Sequence, residues 1–142
     1  MSVVKVLGGQ RLLGKRIQSR LDLADAIEAG LPRQVADHLR QRLDWSENEL
    51  ANGLGISSRT LQRMGGGAGA RLTVAQSDRL VRLAHIVGFA EEVFEDGARA
   101  HRWLKEPQRA LGNRTPLALL ATEAGAREVE DLLGRIEYGV FS

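Results

Sequence analysis

The sequence predicts an all-α protein in two parts, an N-terminal helix-turn-helix domain followed by a second, small helical domain. Leu, Ala and Arg are abundant and only 4% of the residues are aromatic, a composition that suits helices better than a sheet. Apolar residues recur at helical spacing on both sides of a glycine-rich stretch, GGGAGA at 65–70. Because glycine is a poor helix former, this stretch predicts a flexible linker between the two domains.

We expect four segments along the chain. Residues 1–14 hold three glycines and little periodicity, and they predict a loose N-terminal arm. The helix-turn-helix domain is expected over 15–64, the linker over 65–71 and the second helical domain over 72–142. Beyond the first few residues we find no strand pattern, and we find no internal repeat.

Capping residues mark the helices of the first domain. An apolar stripe at helical spacing predicts the first of them and consists of Ile17, Leu21, Ala24 and Ile27. Gly30 is expected to end this helix, and Pro32 to take the first position of the next, where its missing N–H costs nothing. Asp44 or Ser46 is expected to cap a third helix, and Ser46 with Glu49 three residues on has the pattern of a capping box.

Residues 47–64, ENELANGLGISSRTLQRM, predict the helix-turn-helix itself. Gly55 can adopt the left-handed backbone that ends a helix. The small side chain of Ala51 lets the second helix approach the first. Ser57 is placed to cap the second helix, and Leu61 is expected to face back onto the core.

The outer face of that second helix carries the candidate DNA-binding residues. They are Ser57, Ser58, Arg59, Gln62 and Arg63. In helix-turn-helix proteins this face enters the major groove, where arginine can read guanine and glutamine can read adenine. The alternative is an ordinary helical hairpin in an all-α core. The residues of the turn and the apolar faces of both helices fit a helix-turn-helix, and this agreement favours DNA binding.

Further caps define the helices of the second half. The expected N-terminal caps are Thr73, Thr115 and Thr122. A shorter helix around Trp103 is expected to stop before Pro107. The two halves also differ in charge: residues 1–71 hold 11 Lys/Arg against 7 Asp/Glu, or +4, and residues 72–142 hold 9 against 11, or −2. The basic half is the one with the helix-turn-helix, which supports contact with nucleic acid.

Composition and spacing exclude several other classes of function. There is no cysteine, and the three histidines, His38, His85 and His101, stand on three predicted helices without metal-ligand spacing. No nucleophile elbow or phosphate-binding loop is present, so we expect no catalytic residue, metal, cofactor or enzyme activity. No apolar run approaches the roughly 20 residues of a membrane span, and the N-terminus is too short for a signal peptide, which predicts a cytoplasmic protein without a membrane partner.

The C-terminal tail is unusual because it is apolar. The last helix should end at Gly139, yet Tyr138, Val140 and Phe141 stand at or beyond that point. A terminal segment usually carries polar residues. Either Phe141 folds back on its own core, or the tail inserts into a partner, and the residues alone leave both interpretations open.

The second half resembles the toxin-binding domain of Xre/MbcA/ParS-type antitoxins. The stretches that carry the resemblance are SDRLVRLAHIVGFAEEVFEDGARAHRWLKEP (77–107) and ALGNRTPLALLATEAGAREVEDLLGRIEYGVF (110–141). In front of them, LGISSRTLQRM (54–64) resembles the Xre-like helix-turn-helix of the same proteins. The resemblance covers nearly all of the chain from about Asp22, and RTPLALL and LLGRIEYGVF are its specific parts.

The resemblance implies the antitoxin of a type II toxin–antitoxin system. Its partners would be a cognate RES-domain toxin, operator DNA and a second copy of the chain in a homodimer. Toxins of that group consume NAD or transfer ADP-ribose from it. The antitoxin blocks the toxin's pocket and often represses its own operon. The toxin contacts that this implies are Arg114, Glu130, Glu137, Tyr138, Gly139, Val140 and Phe141.

The acidic second half fits this interpretation, because a pocket for an anionic dinucleotide should be positive. One departure is GGGAGA, where the family is expected to have a short polar connection; the glycines would weaken phosphate contacts after the recognition helix. The alternative function is a stand-alone helix-turn-helix transcriptional regulator whose helical second half only dimerises or senses a ligand.

Overall fold

The structure, a computed structural model, describes residues 2–66 and 69–139. It is helical, as the sequence predicts. In chain order its α-helices are α1 (Ser2–Val6), α2 (Gly9–Leu13), α3 (Arg20–Ala29), α4 (Arg33–Leu43), α5 (Glu47–Leu54), α6 (Ser58–Met64), α7 (Val74–Phe94), α8 (Gly97–Lys105), α9 (Pro116–Leu119) and α10 (Glu123–Glu137). A 3₁₀ turn, Arg109–Leu111, lies between α8 and α9. The chain divides into two compact units after Ala84, within α7, rather than at the predicted linker over 65–71.

The core of the first unit includes side chains from α4, α5, α6 and the first part of α7. Its fully buried large side chains include Val35, Leu39, Leu50, Leu54, Leu61 and Leu80. The predicted inward face of α4 is confirmed, since Leu43 is buried as well. These apolar side chains contribute most of the stabilisation of the unit, because each removes its surface from water.

The apolar stripe predicted for the first helix is only partly confirmed, since Ile17 is buried and Ile27 half-buried but its other two members are exposed. Leu21 is 78% exposed and Ala24 is exposed, whereas Ala26 is buried. The hydroxyl of Ser19 caps α3 by accepting the N–H of Asp22 at 3.1 Å. The helix therefore starts later than the stripe suggests, and the apolar residues at its beginning do not share its buried face.

The N-terminal segment is packed rather than a loose arm. Helices α1 and α2 bury Val3, Val4, Val6, Leu7 and Leu13. Gly8 and Gly14 flank α2 with φ of 104° and 72°, so these glycines end helices instead of interrupting one. A Cβ at Gly8 would lie 3.2 Å from Cγ of His38 on α4. Helices of five residues are too short to show a period, which is why the sequence suggests a loose arm.

The glycine-rich stretch is bonded at its C-terminal end to the chain that precedes α4. The N–H of Arg33 donates to the carbonyl of Ala70 at 2.9 Å, and the N–H of Leu72 donates to Leu31 at 2.8 Å. Residues 67 and 68 lie outside the described residues. The stretch thus connects α6 to α7 within the first unit.

The second unit consists of the C-terminal part of α7 and the helices that follow it. Its buried residues include Ile86, Val87, Ala90, Leu104, Leu111, Val129, Leu132 and Leu133. The predicted caps are confirmed: the hydroxyl of Thr115 accepts the N–H of Ala118 at 3.2 Å, and that of Thr122 accepts the N–H of Gly125 at 3.0 Å. Helix α10 therefore begins where the sequence places it.

Gly125 is the point at which α10 approaches α9 most closely. A Cβ at this position would overlap the carbonyl oxygen of Leu119. Because the atom it meets is backbone, we expect Gly125→Ala to lower the free energy of unfolding by about 2 kcal/mol or more. Gly134→Ala is the matched control on the same helix, since nothing lies within 4 Å of a Cβ there. It should raise stability by roughly 0.5–1 kcal/mol. Urea unfolding of both variants measures this, and equal stabilities would contradict the close approach.

Candidate DNA-binding and partner-binding surfaces

The turn between α5 and α6 has the geometry of a helix-turn-helix. Gly55 ends α5 with φ of 75°, the left-handed backbone expected from the sequence. A Cβ at this position would lie 2.9 Å from Nη1 of Arg79. The Nε of Arg79 donates to the carbonyl of Gly53 at 3.3 Å, so this arginine closes over the turn. The left-handed backbone angle is what favours glycine here, since the guanidinium of Arg79 ends a flexible side chain that can move.

Both helices of the motif are capped as the sequence predicts. In the capping box of α5, the N–H of Glu49 donates to the Ser46 hydroxyl at 3.2 Å, and the N–H of Ser46 donates to the Glu49 carboxylate at 3.0 Å. The hydroxyl of Ser57 accepts the N–H of Thr60 at 3.1 Å and caps α6. These bonds satisfy backbone N–H groups that no helical carbonyl can reach.

Helix α6 turns its apolar side to the core and its polar side to solvent. Leu61 is fully buried, and Ala51 on α5 is buried beneath it in the motif. The predicted DNA contacts are exposed at Ser57, Arg59, Gln62 and Arg63. Ser58 is half-buried, and its hydroxyl donates to the side-chain oxygen of Asn48 on α5. Four of the five candidates therefore lie open on one short helix and its cap.

Sequence reasoning missed one residue that lies beneath this surface, Arg33. It is buried, and its guanidinium donates to the carbonyls of Leu61 and Gly65 at 3.2 and 3.0 Å, at the carboxyl end of α6. These partners are 28 and 32 positions away along the chain. No local pattern could have revealed the contact, because an arginine on a helix usually lies in solvent.

An open groove lies on α10 in the second unit. It has a volume of about 530 Å³ and is lined by Phe89, Glu130, Asp131, Gly134, Arg135 and Tyr138. The side chain of Tyr138 is 80% exposed. The structure thus brings together two of the candidate toxin contacts, Glu130 and Tyr138, beside a second carboxylate and an aromatic ring.

The remaining candidate toxin contacts do not line this groove. Arg114 is exposed in the loop before α9, where its Nε donates to the carbonyl of Leu111 at 3.0 Å. Glu137 is the exposed last residue of α10, and Gly139 follows with φ of 72°. Val140 and Phe141 lie outside the described residues.

The surface of α10 is acidic. Between Glu123 and Glu137 the helix carries five carboxylates and two arginines, so its formal charge is −3. In the groove, Oε2 of Glu130 lies 3.8 Å from Nε2 of His85, and both side chains are about half exposed. An exposed pair of this kind contributes little to stability, so its carboxylate stays available to a partner.

Within the residues that the structure describes, no cluster of three or more His, Cys, Asp or Glu side chains could hold a metal ion. In that same part of the chain, no helix combines the length and the apolar character that crossing a membrane requires.

The chain therefore has a capped helix-turn-helix followed by a second, acidic helical unit. These two features place it in the class of two-unit helix-turn-helix proteins. Residues 22–85 match the Antitoxin Xre-like helix-turn-helix domain, and residues 89–139 match the Antitoxin Xre/MbcA/ParS C-terminal toxin-binding domain. The two matches meet where the chain divides into its compact units.

Relatives that cover most of the chain support the same family. Antitoxin Xre of Yersinia enterocolitica is 38% identical over 121 residues, which is 84% of this chain and 81% of the relative. Antitoxin Xre of Photorhabdus laumondii is 32% identical over 133 residues, 93% of this chain and 89% of the relative. The chain belongs to the Xre/MbcA/ParS antitoxin family. A protein of Sphingobium sp. named Prs ADP-ribosylating antitoxin is also similar, with 31% identity over half of each chain.

The chain is therefore the antitoxin of a toxin–antitoxin system, with a helix-turn-helix domain. These are not enzyme families, so the expectation that the chain is not an enzyme is confirmed. Of the two functions that the sequence left open, the family match supports the antitoxin and not the stand-alone regulator.

Proposed function

We propose that this antitoxin neutralises a RES-domain, NAD-consuming toxin by occluding its active site, and that it represses its own operon through α6. The observation that carries the first part is Tyr138, an aromatic side chain left 80% exposed at the end of α10 and beside an acidic groove. A tyrosine that lies exposed beside a groove offers a partner a large apolar contact area together with a hydroxyl, which is why tyrosine is enriched in interfaces.

Two observations support an NAD-consuming toxin as the partner: the negative charge of α10 and the name of one relative. The Sphingobium protein is named for an ADP-ribosylating system, and ADP-ribosylation consumes NAD. A pocket that binds this anionic dinucleotide should be positive, and α10 offers it a surface of opposite charge. Opposite charges speed association and fix the orientation of the two proteins.

Occlusion needs no chemistry from the antitoxin. Tyr138 would enter the toxin's pocket as an anchor, followed by Gly139, Val140 and Phe141. Glu130 and Glu137 on α10, with Arg114, would supply contact area around it. Inhibition then depends on affinity alone, because substrate and antitoxin compete for one pocket.

The DNA-binding part rests on the exposed face of α6. Arg59, Gln62 and Arg63 would enter the major groove of the operator, in the cytoplasm where operon and toxin are both found. A homodimer would present two such helices to two half-sites one helical turn apart.

The test is to produce the antitoxin together with a RES-domain toxin. Cells should grow, keep their NAD, and yield a complex of the two proteins on purification. A toxin that remains active in the presence of excess antitoxin would refute the proposed neutralisation.

Reversing the charge of the groove should weaken neutralisation. We expect Glu130→Lys with Asp131→Lys to raise the antitoxin concentration needed for half-inhibition by about tenfold or more, since like charges then face the toxin. The matched control is Glu92→Lys with Glu106→Lys, which changes the net charge equally at exposed positions of the same unit that do not line the groove. Titrating the toxin's NAD consumption measures both, and equal losses in the two variants would contradict a specific role for the groove.

A further inference from the structure

We propose that Arg33 is a positioning residue for DNA binding. It fixes the carboxyl end of α6 without touching DNA, and so sets the direction of the base-reading side chains. This inference rests on the proposed function of α6 as the recognition helix.

The first step is the bond between Arg33 and the end of α6. The residue is only 4% exposed. Its Nη1 donates to the carbonyl oxygens of Leu61 at 3.2 Å and Gly65 at 3.0 Å. Gly65 is the C-cap of α6, so both oxygens belong to the turn where the helix ends. A positive charge is favourable here, because the carboxyl end of a helix carries partial negative charge.

The second step is that the same guanidinium also contacts a carboxylate of its own helix, α4, and one at the start of α5. Its Nη2 lies 3.3 Å from Oδ1 of Asp37 on α4 and 3.7 Å from Oε1 of Glu47, the first residue of α5. A planar guanidinium with two terminal nitrogens can serve carbonyls on one side and carboxylates on the other. Lysine has a single nitrogen and cannot reproduce this arrangement.

The third step concerns which side chains the bond controls. Gln62 and Arg63 stand between the two carbonyls that Arg33 holds, in the last turn of a helix of seven residues. Hydrogen bonds to base edges depend strongly on direction, whereas phosphate contacts position a protein without reading sequence. A small shift at this end of α6 should therefore reduce base reading more than phosphate binding.

The test compares Arg33→Lys with Arg40→Lys in the full-length antitoxin. Arg40 is the matched control, because its Nη1 also donates to a backbone carbonyl, that of Trp45 at 3.0 Å, but on the turn before α5. Binding is measured on operator DNA and on unrelated DNA, each at several salt concentrations. We expect Arg33→Lys to lower operator affinity about tenfold, or roughly 1.4 kcal/mol. Affinity for unrelated DNA, the salt dependence and toxin neutralisation should stay unchanged.

Other outcomes would overturn the inference. An equal fall in affinity for both DNAs would mean only that less of the protein is folded. A salt slope reduced by about one unit would mean that Arg33 itself binds a phosphate. An equal loss of operator affinity in Arg40→Lys would mean that the contact between Arg33 and α6 has no special role in base reading.

The same experiment separates this inference from the proposed function. If replacing Arg59 and Arg63 leaves operator binding intact, α6 is not the recognition helix. If that replacement abolishes binding while Arg33→Lys does not change the ratio of the two affinities, only the role of Arg33 fails.

Discussion

Replacing Tyr138 with alanine is expected to weaken neutralisation of the toxin about 30-fold or more, while the antitoxin stays as stable as before. An aromatic anchor in a partner's pocket typically contributes 2 kcal/mol or more, roughly 30-fold in affinity. Because the side chain is 80% exposed, its removal costs the antitoxin little of its own packing. Rescue of cell growth and the melting temperature of the antitoxin are the two measurements.

The matched control is Leu21→Ala, which also removes a large exposed apolar side chain, 78% exposed, but from the first unit. It should leave neutralisation unchanged. Deleting residues 138–142 extends the test to Phe141. A stable, truncated antitoxin that still protects cells would place the inhibitory contact elsewhere in the second unit. A lowered melting temperature would instead show that Phe141 packs on the antitoxin's own core.

The double substitution of Arg59→Ala and Arg63→Ala is expected to remove most of the affinity for operator DNA. An arginine that reads a base contributes about 1–3 kcal/mol, so the two together should lower operator affinity roughly 30-fold or more. If the two side chains contact only phosphates, binding should fall on all sequences, and the salt slope should fall by about one unit for each. Gel shifts at two salt concentrations distinguish these cases.

The control for net charge is the removal of one arginine from another helix of the same unit, compared with each single substitution on α6. Arg11 on α2 is exposed, and Arg11→Ala should change operator affinity by much less than either substitution on α6. Unchanged operator binding in the double variant would refute the assignment of α6 to DNA, although neutralisation of the toxin could still hold.

What the sequence predicted correctly depends on contacts that are close along the chain. The capping box of Ser46 and Glu49, the left-handed Gly55 and the cap at Ser57 all involve residues within a few positions of each other. Patterns of residue type are sufficient to identify such contacts. The buried faces of α4 and α10 could also be predicted from the sequence, because an amphipathic helix of several turns repeats its apolar pattern.

What the sequence did not predict depends on distant contacts or on short elements. Leu21 has the spacing of a core residue but lies in solvent. The glycines of the N-terminal segment suggest a loose arm, although they end two short helices. The sequence suggests that Arg33 is an ordinary surface residue, since the carbonyl oxygens that its guanidinium binds belong to residues about 30 positions later. In the second unit, residue types alone did not show that Glu130 and Tyr138 share a groove while Arg114 lies outside it.

Arg33 also determines how much the loop after α6 can vary in length. Its guanidinium binds the carbonyl of Gly65, and its backbone N–H binds that of Ala70, so one residue holds both ends of the glycine-rich stretch. When both ends of a loop are held in this way, additional residues mainly raise the entropy cost of closing the loop, by about 0.6 kcal/mol for each doubling of its length. Insertions between Gly65 and Ala70 should therefore be tolerated. Such an insertion should leave the end of α6 and the start of α7 in place.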